Sequence, residues 1–312
     1  MKNIALSLGL WIWVFIPVFG QNLPDIFKDT PRQIVPAATL AAFPPKTFLE
    51  NLLLLPDGNM LVNSHFEGVV YKINSRGEKQ KFASVKGKVT GIAAYGKHGF
   101  LLTGTDENDK AEVYLLDKKG AIRPLISLPE GQFLNGITQW SGDEFLIADS
   151  YKGCIWKINA KTKKAAIWVS DDLLKRGNVQ NPTPAANGIK VFNKTVYISN
   201  TQQQQILSIA VMQGKPAKPQ VFLSNVNIDD FTFDAAGNLY GATHVYNSIL
   251  KITPKKQVTI IAEQPQGVSG STACILRKNT KGYTLFVSTN GGMYLPPVTG
   301  IEDSKIITLQ IQ

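Results

Sequence analysis

Six positions of the 312-residue chain carry side-chain oxygen at the same place in a recurring pattern: Glu50, Thr90, Asn135, Asn187, Asp229 and Ser271. Carboxylate and amide oxygens gathered on one axis, without sulfur or imidazole, are the ligands that a hard cation such as calcium prefers. In such a site Glu50 and Asp229 bring the negative charge, Asn135 and Asn187 bring neutral carbonyls, and water completes the shell. Polar residues also begin strands simply to satisfy turns, but six in register favour a metal site. A second column reads Ser64-His65, Gly104-Thr105, Asp149-Ser150, Asn200-Thr201, Thr243-His244 and Thr289-Asn290. His65 and His244 share one repeat position there, which makes them candidate acid, base or substrate-contact groups. Asp149 and Asn200 are candidate substrate contacts in the same column, whereas His98 falls in a turn on the opposite face.

The elements that must position these columns are legible as a repeat. The pattern of Phe133 to Ile158 recurs from Phe48, Val89, Ala185 and Asn227, and more loosely from Gly270. Each copy has a polar residue, a short apolar strand, a turn such as Pro56-Asp57-Gly58, a second apolar strand, a polar loop and a third alternating strand. A period of about 40 to 50 residues with four strands per unit is the signature of propeller blades. Outer strands are expected at 80–85, 122–128, 165–170, 219–223 and 258–262. The sixth copy ends with 305–312 as its third strand, and 38–48 at the other end of the chain supplies its fourth. The expectation is an all-β, six-bladed β-propeller whose closing blade is completed by an N-terminal strand, which leaves no open sheet edge.

Residues 1–20 differ from the rest: Lys2 and then an apolar run from Ile4 to Phe19 ending at Gly20. The run is short for a membrane span and reads as a secretory signal peptide, so that 21–312 form the propeller of a secreted or periplasmic protein. Residues 21–35 are then a surface lead-in. Cys154 and Cys274 fall in blades across the ring from each other and are expected buried, reduced and unpaired. The formal charge is +10, or +9 without Lys2. The lysines look scattered through turns and outer strands with no aromatic interleaving, which favours a solvated surface over nucleic-acid binding. Motifs for a serine-hydrolase elbow, a zinc protease, a Cys-x-x-Cys pair and a phosphate loop are all missing from the sequence.

At Glu50-Asn51, Asn135-Gly136, Ile147-Ala148-Asp149-Ser150, Asn187-Gly188, and Asp229 ahead of Phe233 to Tyr240, the chain resembles the SMP-30/gluconolactonase family, including its secreted branch. The resemblance spans nearly all of 21–312. It implies one divalent cation, calcium before zinc, magnesium or manganese, held by Glu50, Asn135, Asn187 and Asp229. It also implies hydrolysis of a lactone or related ester, with Asp229 as the catalytic group that meets the metal and accepts water's proton. The family's sugar-lactone hydrolases carry an arginine two residues before the third-blade asparagine; here that residue is Phe133, which points to a more apolar ligand at the mouth. Two other readings stay open: a biosynthetic cyclisation or condensation enzyme on the same metal-bearing scaffold, and a propeller that only binds a ligand or protein. A closed ring needs no partner to cover an edge, so a monomer acting on a small molecule is expected.

Overall fold

The computed structural model describes residues 23–312; the signal-peptide reading of 1–20 lies outside the described residues. The chain forms six antiparallel sheets and three short 3-10 turns. Blade 1 is Leu49–Leu54, Met60–Ser64, Val69–Ile73 and Lys79–Ser84; blade 2 is Val89–Ala94, Phe100–Thr105, Ala111–Leu116 and Ile122–Ser127. Blade 3 is Leu134–Ser141, Glu144–Asp149, Cys154–Asn159 and Lys164–Ser170. Blade 4 is Ala186–Phe192, Thr195–Asn200, Gln205–Met212 and Gln220–Ser224, with the two-residue strand Lys215–Pro216 extending the third strand's hairpin. Blade 5 is Phe231–Phe233, Leu239–Ala242, Ile249–Ile252 and Val258–Ala262. Blade 6 joins Ser271–Asn279, Gly282–Thr289 and Asp303–Ile311 to Ala37–Pro45, which pairs antiparallel with Asp303–Ile311 from Ala37 opposite Leu309 to Pro45 opposite Asp303.

The inner strands contact one another in cyclic order, blade 6 returning to blade 1. Every sheet is therefore covered on both faces, and each pair of neighbouring blades shares one apolar cluster. Strand alternation divides the side chains between neighbours. Leu101 enters the cluster between blades 2 and 3, while Leu102 enters the one between blades 1 and 2. Likewise Ile147 faces blade 2, and Leu146 and Ala148 face blade 4. Second strands buried along their whole length, such as Phe100–Thr105, follow from this double coverage.

The lead-in lies on the surface with an anchor that composition does not reveal. Gln33 and Val35 donate backbone hydrogen bonds to Ile260 and Ile261 along the outer strand of blade 5. Phe27 is buried between blades 4 and 5, edge-on to Tyr246 at 5.0 Å. Both cysteines are buried and free, and burial pushes the Cys154 thiol up to about 12. Among the described residues no helix is long and apolar enough to cross a membrane.

Candidate active site

A cavity of about 740 Å³ opens where the inner strands begin, lined by residues from the strand starts, the loops between second and third strands, and the linkers between blades. Glu50, Asn135, Asn187 and Asp229, from blades 1, 3, 4 and 5, all line it. A local device aims the first three. The pairing register slips at Leu49/Leu52, Leu134/Ile137 and Ala186/Ile189, so a bulge sits at Glu50-Asn51, Asn135-Gly136 and Asn187-Gly188. A bulge turns a side chain out of the regular alternation, here toward the channel. The glycine that follows each asparagine is set by crowding. A Cβ on Gly136 would lie 2.6 Å from the Asn187 carbonyl oxygen, and one on Gly188 would lie 2.5 Å from Asp230 Oδ1.

Thr90 and Ser271 begin their strands in the same register but do not line the cavity. The Thr90 hydroxyl donates to the Leu134 carbonyl at 2.7 Å and that of Ser271 to the Ser248 carbonyl at 3.0 Å. Their oxygens bind backbone in an adjoining segment, so four of the six expected groups converge on the mouth.

Asp229 is held on both oxygens. Asn187 Nδ2 donates to Oδ1 at 2.5 Å, and His244 Nδ1 meets Oδ2 at 2.9 Å. The orientation of Asn290 fixes the His244 tautomer. Asn290 Oδ1 accepts from the backbone N–H groups of Gly292 and Met293, so its Nδ2 faces His244 Nε2 at 2.7 Å and donates to it. His244 then carries its proton on Nδ1 and donates it to Asp229. Both ring nitrogens are thereby engaged, and His244, which also lines the cavity, holds Asp229 in place. Its backbone sits at φ 46°, the left-handed region that only a well-determined surrounding maintains in a histidine.

His65 differs. Its Nδ1 bonds the Val89 carbonyl at 2.8 Å and so carries the proton, leaving Nε2 as an acceptor on the cavity wall. Burial, chiefly, pushes its pKa down to about 4, so it is neutral at physiological pH. Aromatic rings crowd it: Phe66 at 4.7 Å, Phe48 at 5.8 Å and Phe133 at 6.2 Å. Phe133 packs in turn on Tyr151 at 5.0 Å, and Phe48 on Tyr294 at 5.8 Å. The mouth thus has a polar floor beneath an aromatic collar.

Asp149 and Asn200 do not line this cavity, a correction to their reading as substrate contacts. Asp149 is fully buried and accepts from the backbone of Gln132, Phe133 and Lys152 and from the Trp156 indole. Asn200 donates to the Leu173 and Lys175 carbonyls and accepts from the Gln203 N–H. Each shapes the wall from behind; Asp149 fixes the backbone that presents Phe133. The spacing held a signal: an Asx residue whose side chain accepts from the N–H three residues on is a turn-former.

The donor set fits a hard cation. Among the described residues, neither the Glu50 carboxylate nor the Asn135 amide hydrogen-bonds to protein, although both are buried. Asn187 donates through Nδ2 to Asp229 and Thr201, which leaves its Oδ1 free. Asn227, also on the wall, has a buried Oδ1 without a partner. Burial, and then the charges of Asp229 and Asp230, hold the Glu50 carboxyl well above the usual range. Cation binding would relieve that unbalanced negative charge. Among the described residues no three His, Cys, Asp or Glu side chains cluster as a metal site; the donors here are two carboxylates and two amides.

Beneath the mouth lies a pair that sequence reading missed. Asp230 accepts from Lys190 Nζ at 2.5 Å, Asn51 Nδ2 at 2.9 Å and the Phe231 N–H at 2.8 Å. It ties blades 1, 4 and 5 together under the four converging side chains.

No family model matches the chain, and no curated protein matches it. Solved structures share its fold at low identity. A regucalcin from Agrobacterium tumefaciens, described as a calcium-binding protein, aligns at 14% identity with a TM-score of 0.67 over 89% of this chain and 95% of its own. A gluconolactonase from Xanthomonas campestris aligns at 13% identity and a TM-score of 0.66, covering 88% and 89%. A virginiamycin B lyase from Staphylococcus aureus aligns at 12% identity and 0.58, covering 88% and 99%. Chains with different activities thus share this propeller, and the likeness is one of fold.

Proposed function

We propose that this chain is an exported, monomeric hydrolase of a lactone or related ester that depends on one divalent cation, calcium in the first instance. One observation carries the reading: four oxygen-bearing side chains from four blades meet at one cavity, and two of them, Glu50 and Asn135, have no side-chain hydrogen bond to protein among the described residues. The fold likeness to a gluconolactonase and a calcium-binding regucalcin supports it. Glu50, Asn135, Asn187 and Asp229 would hold the ion, which when bound supplies a Lewis acid for the ester carbonyl and acidifies water. Asn187 and His244 orient the Asp229 carboxylate, whose remaining lone pairs accept the proton of the attacking water. His65 Nε2, an acceptor at neutral pH, takes a hydrogen bond from a substrate hydroxyl or that water. Phe133, Phe48 and Tyr151 exclude solvent and favour an apolar or aromatic acyl group over a highly hydroxylated sugar.

The test is a panel of sugar-derived, alkyl and aryl lactones, assayed with calcium, zinc, magnesium, manganese or chelator. We expect cation-dependent turnover that favours apolar lactones and falls by about 10²- to 10⁴-fold in Asp229→Asn, with an unchanged circular dichroism spectrum. No turnover on any member, with the ion bound and the blades folded, would replace hydrolysis by ligand binding or by another reaction at the same site.

A further inference from the structure

The lysines that look scattered in sequence are gathered by the fold. The inner strands begin at the cavity mouth, so antiparallel alternation sends two sets of connections to the opposite face of the disc: first-to-second strand and third-to-fourth strand. Those connections carry twelve Lys or Arg side chains and five acids. The connections on the mouth face carry seven and eleven. The disc is therefore polarised, net +7 on one face and −4 on the other.

Pairing sharpens the contrast. On the mouth face Lys86, Lys88, Lys152 and Lys175 each lie within 4 Å of an acid. Of the twelve on the opposite face only Arg76 does among the described residues, to Glu78. Blades 2 and 3 present Lys97, Lys118, Lys119, Lys161 and Lys163 there, all exposed and without an acidic partner among the described residues. Blades 4 to 6 add Lys194, Lys215, Lys218, Lys255, Lys256 and Lys281, likewise exposed and without an acidic partner.

Backbone conformation is a second, independent sign. The turn between third and fourth strands holds Gly77 and Gly120 at positive φ in blades 1 and 2, where glycine is favoured. In blades 3 and 5 the turn holds Lys163 and Lys256 at φ 58° and 64°. Asn193-Lys194, with φ 47° and 64°, is a hairpin turn whose second position also favours glycine. Three of the four lysines with positive φ sit on this face; Lys46 is the exception. Turn geometry alone does not select lysine at these places.

We propose that this face docks the propeller on an anionic lipid surface, holding the mouth outward toward solution. The unpaired charges are lysine point charges spread over blades 2 to 6. They do not form an arginine fork converging on one phosphate, and this suits a broad plane of charge better than a discrete ligand. Such attachment is peripheral and electrostatic, so salt weakens it.

The test is cosedimentation of the protein with vesicles of phosphatidylcholine, alone or with about 30% phosphatidylserine. We expect at least about tenfold more binding to the anionic vesicles, lost when salt rises from about 0.05 to about 0.5 M. Joint replacement of Lys118, Lys119, Lys163 and Lys256 by Glu should abolish that preference without lowering Tm, because none of the four is buried. The mouth-face control Lys86→Gln with Lys175→Gln should keep it. Equal binding to both vesicle types would overturn the proposal, and so would a preference that survives the four replacements. Retention by heparin or single-stranded DNA without vesicle binding would overturn it in favour of a soluble polyanion.

Discussion

Asp229 and Asp230 are neighbours in sequence and opposites in environment. Asp230 is closed off: one lysine, one asparagine and one backbone N–H satisfy it, and its charge is balanced by Lys190 beneath the channel. Asp229 belongs to a layer left open. Its partners are an amide and an imidazole, and the Glu50 carboxylate beside it has no hydrogen bond to protein among the described residues. A buried carboxylate that the protein itself neutralises serves the fold. One held unbalanced against a cavity is available to a ligand. The two layers should therefore answer to mutation with opposite signs.

The largest stability effect is expected in the lower layer. Lys190→Met removes the only cation within 4 Å of Asp230 among the described residues, and the Asp230 side chain is 6% exposed. Breaking a buried pair from one side costs about 3 to 5 kcal/mol, and urea unfolding should report a loss of that order with or without calcium. A loss below about 1 kcal/mol would mean that solvent reaches Asp230 and that the layers do not differ as described.

His65 sharpens the comparison through pH. Its pKa is depressed, mainly by burial, from 6.5 to about 4. Between those values the unfolded chain binds more protons than the folded one. Stability from this group is thus fully present above the unfolded value and is lost as pH falls toward 4. One pKa unit is about 1.4 kcal/mol, so the loss is about 3 kcal/mol across the window. Urea unfolding at pH 7.5 and 4.5 should show that decrement in the parent and a smaller one in His65→Gln. Equal decrements would place His65 in water, not against Phe48, Phe66 and Phe133.

The blades were legible because turn residues and apolar alternation recur, and burial on both faces leaves continuous apolar second strands such as 100–105. Glu50, Asn135, Asn187 and Asp229 were legible as a column. Which members of a column face the channel was not, because that depends on what each oxygen meets in three dimensions. Thr90 finds the Leu134 carbonyl, and Asp149 finds four donors, two of them sixteen or seventeen residues away in sequence. Asp230 was hidden for the same reason, since its lysine lies forty residues upstream. The basic face was within reach of sequence: sorting the turns by their parity within each blade separates the lysines before any coordinates exist.

Glu50→Gln tests the upper layer with the smallest change in free energy and the clearest sign. Burial and the Asp229 and Asp230 charges raise the Glu50 pKa, so the folded state holds its proton more tightly than the unfolded one. Cation-free stability should accordingly fall as pH rises above the ordinary glutamate range toward the raised value. Replacing the carboxylate by an isosteric amide removes the repulsion and should raise cation-free stability at pH 7 by on the order of 1 kcal/mol. The same substitution removes an anionic ligand. Saturating calcium, worth about 2.7 kcal/mol at a hundredfold excess over Kd, should then stabilise the parent far more than the variant. Calorimetry in chelator and in calcium measures both differences. A variant less stable than the parent in chelator would show that Glu50 supports the fold, and the contrast between the two layers would fail at its central residue.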